Sequence, residues 1–309
     1  MQVELGRTGL SVTRLGLGLA PIGGLYADVS EDQARQTVDR AWDRGVRLFD
    51  TAPFYGYGRS ETRSGAALRD RSAHVLSTKV GRVLEREDQG DVDPDVWAGV
   101  DPSVRPVFDF SAAGVRRSFE DSLRRLGRDR VDVVHLHDPD DHLDQAVAEA
   151  YPELVRLREE GLVTAIGAGA NRADVLAYLV ERVDLDVVLM AGRYTLLDRS
   201  GTGLLDLAAD RGVAVIAAGV FNSGILADPR PGATFDYATA DDDLVKRALR
   251  LKQIAEEHGV PLRAAAVQFP LRHPAVASVL VGLRSPTEVD DAADMIETTI
   301  PDELWAAIA

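Results

Sequence analysis

Residues 47–56 read RLFDTAPFYG, and the rest of the chain is interpreted from this stretch. A short apolar run ends at Asp50, and the chain then turns through Pro53 and Gly56 while presenting the phenol of Tyr55. This pattern is typical of a buried strand that passes into a functional loop. Taken alone, Asp50 could equally be a turn former and Tyr55 an aromatic residue at a rim.

Two further stretches weigh against that local interpretation. Residues 74–80, HVLSTKV, form a short apolar run with Lys79 near its end, and residues 131–137, VDVVHLH, end in His135 and His137. The carboxyl ends of parallel barrel strands meet at one face, where catalytic side chains gather. An acid, a phenol, an ammonium group and an imidazole at successive strand ends therefore indicate one shared site.

The apolar runs alternate with helical patterns along the whole chain. The predicted strands are residues 15–19, 46–50, 74–79, 131–137, 163–167, 186–190, 213–217 and 278–282. The predicted helices are residues 30–44, 60–69, 111–126, 142–160, 172–183, 200–211, 241–257, 262–272 and 286–296. Eight strand–helix units predict an α/β fold, a (β/α)8 TIM barrel. The apolar strands, without clean alternation, suit a sheet covered on both faces.

The N-terminus and two long connections complete the predicted architecture. Residues 3–5 and 12–14, separated by a glycine-containing turn, predict a β-hairpin that plugs one end of the barrel. Residues 82–110 and 221–240, rich in Gly and Pro, predict long βα loops on the face of the site, the first as a lid. The rival fold is a doubly wound sheet. Its phosphate fingerprint is incomplete in GLGLAP (residues 16–21), because Pro21 replaces the last glycine.

Composition sets the broad class. With 309 residues, 45% of them hydrophobic, the chain is predicted to form a single domain over residues 1–309. The absence of cysteine suits a reducing compartment, and no signal or spanning segment is predicted, so we expect a cytoplasmic protein. A formal net charge of -15 disfavours nucleic acid and anionic membranes as partners. We expect a monomer or small homo-oligomer.

The four side chains suggest a particular chemistry. A buried ammonium next to a phenol favours the phenolate, and a carboxylate keeps that ammonium charged and in place. A tyrosine in this setting is expected to exchange protons near neutral pH. Asp50, Lys79 and Tyr55 supply these groups, and His137 can orient the reacting oxygen. Such a site moves a proton on a carbinol or carbonyl oxygen while another group moves a hydride.

The spaced set Asp50, Tyr55, Lys79 and His137 resembles the catalytic tetrad of the aldo-keto reductases. The resemblance runs from the N-terminal hairpin to about residue 293. It implies that Tyr55 is the general acid/base, that Lys79 and Asp50 tune it, and that His137 positions the substrate. It also implies a nicotinamide dinucleotide lying across the barrel mouth.

The same resemblance implies the cofactor contacts. Asn171 is the implied carboxamide ligand, and Phe221 compensates for the ring-stacking tyrosine of the family, which falls near Ala218. The remaining implied cofactor-binding residues follow the seventh and eighth strands: Asn222, Ser223, Gly224, Gly282, Arg284, Ser285, Glu288 and Asp291. Glu288 aligns with an arginine that grips the NADP 2′-phosphate in many relatives, so NAD is expected over NADP.

Within the family, AGRYTLLD (residues 191–198) and FNSG (residues 221–224) look most like the sugar-oxidising branch of L-fucose, D-threo-aldose and L-galactose dehydrogenases. The expected activity is oxidation of the C1 hydroxyl of a free aldose to a lactone. Phe54, Trp97 and Asp138 are the expected substrate-binding residues. Asp138 stands where many reductases have tryptophan, which favours a polyol, although an Asp before Pro139 is also a common turn residue.

Four alternatives remain from the sequence. The first two are a pyridoxal 4-dehydrogenase and a general NADPH-dependent aldehyde or ketone reductase. Third, His135, His137 and the acids that follow could form the metal site of a hydrolase, but Lys79 nearby would repel a cation, so no metal is expected. Fourth, some barrels of this kind act as redox-sensing subunits that hold cofactor without rapid turnover.

Overall fold

The computed structural model describes residues 2–87 and 96–308. In chain order the strands are β1 (Gln2–Glu4), β2 (Ser11–Thr13), β3 (Leu15–Gly18), β4 (Leu48–Asp50), β5 (Val75–Val80), β6 (Arg82–Arg86), β7 (Val104–Phe108), β8 (Val133–His137), β9 (Ala165–Ala170), β10 (Val187–Ala191), β11 (Ala214–Ala218), β12 (Thr234–Phe235), β13 (Ala238–Thr239) and β14 (Val276–Gly282).

The α-helices are α1 (Glu31–Asp43), α2 (Arg59–Leu68), α3 (Ala112–Leu126), α4 (Leu143–Gln145), α5 (Tyr151–Glu159), α6 (Ala173–Arg182), α7 (Thr202–Arg211), α8 (Asp242–Glu257), α9 (Leu262–Gln268), α10 (Pro286–Glu297) and α11 (Asp302–Ala307). Three short 3-10 turns occupy Pro21–Gly23, Asn222–Gly224 and Phe269–Arg272, and Ala146–Ala150 is a π-turn. Within residues 2–87 and 96–308, no helix is both long and apolar enough to cross a membrane.

Eight parallel strands close into a barrel in the order β3-β4-β5-β8-β9-β10-β11-β14, with β14 pairing back onto β3. This confirms the predicted (β/α)8 barrel. The alternative of an open doubly wound sheet is wrong. An open sheet has two edge strands, whereas here β3 and β14 are hydrogen bonded to each other.

The interior of the barrel is apolar at one end and polar at the other. Side chains that alternate along a strand share one face, so Leu48 is followed by Asp50 and Val133 by His135 and His137. The apolar members pack in a cluster with Leu5 and Val12 of the N-terminal region, both 0% exposed. The hairpin β1–β2 therefore plugs one end, as predicted, and the polar members collect at the other end.

Several elements differ from the sequence prediction. The helix predicted over residues 142–160 contains the π-turn just before Pro152, which has no amide hydrogen for the regular helical pattern. The helix predicted over residues 262–272 becomes a 3-10 turn at Pro270 for the same reason. The terminal helix α11 was not predicted.

The two long connections have more secondary structure than expected. Strands β6 and β7 pair antiparallel from Arg82 with Phe108 to Arg86 with Val104, so this part of the predicted lid is a β-ribbon. Gly90 and Pro94, which supported the lid, lie outside the described residues. Strands β12 and β13 form a second small hairpin in the connection after β11.

Helices α2 and α3 approach each other through Gly65, which leads to a stability prediction. A Cβ placed on Gly65 would lie 2.2 Å from the carbonyl oxygen of Leu126. Gly65→Ala is therefore expected to lower the free energy of unfolding by about 1–3 kcal/mol, because a helix must move to admit the methyl group. Urea unfolding followed by circular dichroism measures the change. Gly203→Ala is the matched control, since no described atom lies within 4 Å of a Cβ there. Equal midpoints for the two variants would contradict the close helix contact.

Candidate active site

A buried ion pair anchors the polar end of the barrel. Lys79 Nζ donates hydrogen bonds to Asp50 Oδ2 at 2.5 Å and to the carbonyl oxygen of Thr51 at 2.9 Å. Asp50 Oδ1 accepts a further hydrogen bond from Ser77 Oγ at 2.7 Å. The side chains of Lys79 and Asp50 are each 1% exposed. Because both charges are out of water, each depends on the other for stabilisation.

Tyr55 packs against this ion pair. Lys79 Nζ lies 4.4 Å from the centroid of the Tyr55 ring, and its charge lowers the pKa of the phenol against the effect of burial. The turn that carries Tyr55 requires glycine at the next position, where φ is +63°. A Cβ on Gly56 would lie only 2.1 Å from the carbonyl oxygen of Gly23. The glycine in the RLFDTAPFYG stretch therefore fixes the approach of the phenol to the ammonium group.

Burial and the neighbouring charges determine the protonation states of Tyr55 and Lys79. Burial raises the pKa of Tyr55 to about 12, although the Lys79 ammonium opposes the rise. Burial lowers the pKa of Lys79, but Asp50 and Tyr55 outweigh it and the net pKa is raised. With a pKa of about 12 the phenol of Tyr55 is mainly protonated near neutral pH, and its exchange of protons there stays a prediction. Desolvation of the phenol exceeds the attraction of the single ammonium group.

His137 completes the group of four. Its ring is edge-on to that of Tyr55, with centroids 5.7 Å apart and an interplanar angle of 89°. Burial holds the pKa of His137 well below its usual range, and the cations of Arg82 and Lys79 add to the effect. The imidazole is therefore neutral near pH 7. It can donate one hydrogen bond to a substrate oxygen without carrying a charge.

Phe54, Tyr57 and Trp97 form an aromatic wall beside Tyr55. The Trp97 ring is stacked on Tyr55 at 6.1 Å between centroids and meets the edge of Phe54 at 5.3 Å. Phe54 also contacts the His137 ring at 6.1 Å. Trp97 is only 3% exposed although it lies in a polar stretch of sequence, because a backbone bridge pairs it with Leu25. The structure thus brings two expected substrate-binding residues, Phe54 and Trp97, to the tetrad.

Asp138 and Arg82 form the charged part of the mouth. Arg82 Nη2 donates to Asp138 Oδ2 at 2.6 Å, and the same oxygen lies 3.7 Å from His137 Nε2. Asp138 has φ +46°, a left-handed conformation that Asp tolerates, and this turns its side chain next to the preceding histidine. Sequence analysis missed Arg82. The sequence did offer one indication of its role. Arg82 follows Gly81 directly after the strand that carries Lys79, where the chain leaves the barrel.

Comparison with known proteins identifies the type of site. The profile of the aldo/keto reductase family matches residues 14–309. The chain belongs to this family. It is 44% identical to pyridoxal 4-dehydrogenase of Microbacterium luteolum, covering 98% of this chain and 95% of that protein. It is 42% identical to D-threo-aldose 1-dehydrogenase of a Pseudomonas species, covering 97% and 94%.

A solved structure agrees with this assignment. The holo form of an aldo-keto reductase from Bacillus halodurans superposes with a TM-score of 0.78 at 28% identity, covering 99% of this chain and 94% of that one. The resemblance drawn from the spaced tetrad is confirmed at the level of the family and its dehydrogenase branch. The protein is an oxidoreductase, and enzymes of this family use NAD(P)(H).

The connection after β14 suits the phosphate groups of such a cofactor. Ser285 caps α10, its Oγ accepting the amide of Glu288 at 3.2 Å. The positive end of the helix dipole favours phosphate binding at a helix N-terminus. Gly282 leaves a cradle beside Pro21, where a Cβ would come within 3.1 Å of the proline ring. Gly282, Ser285 and Arg284, whose side chain is partly exposed, therefore fit a dinucleotide.

The acidic residues predicted at the adenosine end have protein partners. Glu288 Oε2 accepts the backbone amide of Arg284 at 2.8 Å, so this carboxylate also caps its own helix. Asp291 is held by Arg263 through two hydrogen bonds of 2.9 and 2.7 Å. Their roles as cofactor ligands stay predictions.

The residues predicted around the nicotinamide build the connection after β11. Asn222 is 5% exposed. Its side-chain oxygen accepts a hydrogen bond from Thr195 Oγ1, and its side-chain nitrogen donates one to the carbonyl oxygen of Gly192. Ser223 Oγ accepts the amide of Tyr237 at 3.0 Å, and Gly224 has φ +107°. These contacts give Asn222 and Ser223 a role in shaping the loop, and contact with cofactor stays a prediction.

Asn171 and Phe221 were predicted to hold the nicotinamide itself. The side chain of Asn171 lies near the hydroxyl of Tyr237, at the tip of the small hairpin β12–β13, and opposes the rise that burial causes in the pKa of Tyr237. Phe221 is partly buried and packs against core residues. Tyr237, 63% exposed at the tip of that hairpin, was not predicted to reach Asn171.

The metal alternative finds no geometric support. Within the described ranges, no group of three or more histidine or acidic side chains is arranged to hold a metal ion. His142 packs instead against the rings of Phe108 and Phe110, at 5.2 and 5.4 Å. Burial lowers the pKa of His135 to about 3, so this residue is a neutral group inside the barrel.

Proposed function

We propose that this protein is an NAD-dependent aldose 1-dehydrogenase that oxidises the C1 hydroxyl of a free sugar to a lactone. The observation that carries the proposal is the contact of Tyr55, Lys79, Asp50 and His137 at the polar end of the barrel, next to the charged pair of Arg82 and Asp138. A polyol supplies the hydroxyl groups that this polar mouth requires, whereas a purely apolar aldehyde would leave the charges unsatisfied.

Each residue of the site has a defined part in the proposed reaction. His137 donates a hydrogen bond to the C1 oxygen and holds it next to the Tyr55 oxygen. Tyr55 takes the hydroxyl proton during oxidation and returns it during reduction. Lys79, kept charged by Asp50, stabilises the tyrosinate that oxidation needs. The nicotinamide ring, when bound, supplies hydride acceptance at its C4 atom.

The preference for NAD follows from charge. Glu288 lies in the first turn of α10, beside Ser285 at the predicted phosphate end. A carboxylate there repels an added 2′-phosphate and can accept a hydrogen bond from a ribose diol. Gly282, Arg284 and Ser285 would hold the dinucleotide phosphates. The ratio of kcat/KM for NAD and NADP with one substrate measures the preference, and a higher value with NADP would contradict it.

Pyridoxal oxidation is the second candidate. It is supported by the 44% identical relative with that activity and by the aromatic wall of Phe54, Tyr57 and Trp97, against which a flat ring could stack. A panel of L-fucose, D-arabinose, L-galactose and pyridoxal, with NADH formation followed by absorbance, separates the two candidates. Activity confined to pyridoxal would replace the sugar assignment.

The same panel tests the other classes. Reduction of aldehydes with NADPH and no oxidation of any sugar would assign a general reductase. Tight cofactor binding without turnover of any aldose, alcohol or aldehyde would favour a redox-sensing protein. Loss of activity on treatment with a chelator would contradict the metal-free mechanism.

The raised pKa of Tyr55 predicts how the oxidation rate depends on pH. A base with a pKa of about 12 is mostly protonated at neutral pH, and its active form increases about tenfold per pH unit as pH rises. The kcat/KM for sugar oxidation is therefore expected to rise with pH from about pH 6 to about pH 9. For the reverse reduction, in which the phenol is the acid, kcat/KM is expected to stay nearly constant over that pH range. Initial rates in both directions measure this, and an oxidation rate independent of pH would contradict Tyr55 as the base.

A further inference from the structure

Arg82, the first residue of β6, is enclosed by two aromatic side chains. Its guanidinium carbon lies 4.2 Å from the centroid of Phe54 and 4.5 Å from that of Phe108, so the charged group sits between two rings. The side chain is only 13% exposed. Gly81, with φ +97°, makes this placement possible, because a Cβ there would come within 2.2 Å of Phe110. The backbone conformation at Gly81 and the two aromatic rings therefore hold the Arg82 guanidinium at the barrel mouth.

The hydrogen-bonding capacity of Arg82 is incompletely used. One terminal nitrogen donates to Asp138, but the Nε–H is buried without a partner in residues 2–87 and 96–308. A buried donor that lacks a partner is unfavourable, because it has lost its hydrogen bond to water. Burial also lowers the pKa of Arg82, although the charge of Asp138 opposes this. The exposed 13% of the side chain is the part that a ligand oxygen can contact.

Asp138 supplies the complementary acceptor. A carboxylate has more lone pairs than one arginine contact uses, and this side chain remains 29% exposed. Its position is fixed by a backbone hydrogen bond from its amide to the carbonyl oxygen of Gly169 at 2.9 Å. A donor and an acceptor of opposite charge are therefore fixed side by side, which matches the two hydrogen-bonding capacities of one hydroxyl group.

The location of this pair relative to His137 selects a part of the substrate. Asp138 Oδ2 is 3.7 Å from His137 Nε2, the ring nitrogen on the side of the mouth. In the proposed function His137 holds the C1 oxygen. A group next to that oxygen on the sugar, the C2 hydroxyl, then falls within reach of Asp138 and Arg82.

We propose that Arg82 and Asp138 together bind the C2 hydroxyl of the aldose, Arg82 donating a hydrogen bond to its oxygen and Asp138 accepting a hydrogen bond from it. This inference rests on the proposed aldose oxidation. It makes the ion pair a determinant of specificity, because a sugar without that hydroxyl leaves both charged groups unsatisfied in a partly buried site. A purely structural ion pair, which only fastened β6 to the mouth, would not distinguish such sugars.

The experiment compares D-arabinose with 2-deoxy-D-ribose, which is D-arabinose without the C2 hydroxyl. The wild-type kcat/KM at saturating NAD is expected to favour D-arabinose by about 100-fold or more. Arg82→Met keeps a long side chain between Phe54 and Phe108, and Asp138→Asn keeps the shape of the carboxylate. Each variant is expected to lose about 10-fold to 100-fold in kcat/KM for D-arabinose and to change by less than about threefold for 2-deoxy-D-ribose.

Controls keep the result interpretable. Arg82→Lys retains the charge without the planar fork and should show intermediate discrimination. Thermal unfolding and cofactor binding show whether each variant is folded. An equal loss of kcat/KM with both sugars in a folded variant would overturn the inference. So would a wild-type enzyme that oxidises both sugars equally well. A wild-type enzyme inactive on every aldose would overturn the proposed function first, and the inference with it.

Discussion

Tyr55→Phe is expected to lower kcat for sugar oxidation by about 10³-fold or more, while the Kd for NAD changes by no more than about twofold. The substitution removes only the hydroxyl, so the ring still packs on Trp97 and His137. Without that oxygen the substrate hydroxyl loses the group placed to take its proton, since the Asp50 oxygens already accept hydrogen bonds from Lys79 and Ser77. Single-turnover formation of NADH measures the chemical step directly.

The matched control for this variant is Tyr57→Phe, which removes a hydroxyl from the neighbouring aromatic wall. Tyr57 lies 6.4 Å from Trp97 between ring centroids, whereas Lys79 donates its hydrogen bonds to Asp50 and Thr51. Its substitution is expected to change kcat by less than about tenfold. If both variants retained similar activity, Tyr55 would not be the group that exchanges the proton.

Lys79→Met is expected to cause the second largest loss, in both activity and stability. Removing the ammonium leaves the Asp50 carboxylate, 1% exposed, without its counterion, and such a loss costs about 3–5 kcal/mol. It also removes the cation that opposes the raised pKa of Tyr55, so the tyrosinate becomes harder to form. The expected decrease in kcat is at least about 100-fold. Urea unfolding and steady-state kinetics measure the two effects.

A second substitution separates stability from catalysis. In the double variant Asp50→Asn with Lys79→Met the unpaired buried charge is removed, so most of the free energy of unfolding is expected to return. Activity is expected to remain low, because the cation beside Tyr55 is still missing. Recovery of activity in the double variant would show that Lys79 acts only through the fold. Unchanged stability of Lys79→Met alone would contradict a buried ion pair.

The tetrad and the barrel were accessible from sequence for a shared reason. Asp50, Lys79 and His137 each stand at the end of an apolar run, and the parallel strands of a barrel bring those ends to one face. Tyr55 follows from the turn after Asp50, which contains the necessary Gly56. These are properties of local segments, and the regular barrel geometry turns them into proximity.

The contacts and the burial that sequence analysis did not predict arise between distant segments. Arg82 reaches the mouth only because β6 pairs with β7 and Phe108 and Phe54 enclose its guanidinium. Trp97 is buried only because its backbone pairs with Leu25. Tyr237 meets Asn171 only because two residues with positive φ, Asp236 and Tyr237, turn the small hairpin. In each case the pairing partner is far away in the chain, so the sequence pattern around the residue carries little signal.

The amino-acid sequence by itself determined the eight strand–helix units, the plugging hairpin and the side chains presented at the strand ends, because alternation and turn residues act over a few neighbouring positions. Only the tertiary structure decided the balance of charge within the site. The pKa of Tyr55 rises because water is excluded from the phenol more strongly than Lys79 can compensate. The pairing of Arg82 with Asp138 likewise depends on distances across the barrel mouth, which the fold sets and short-range patterns do not encode.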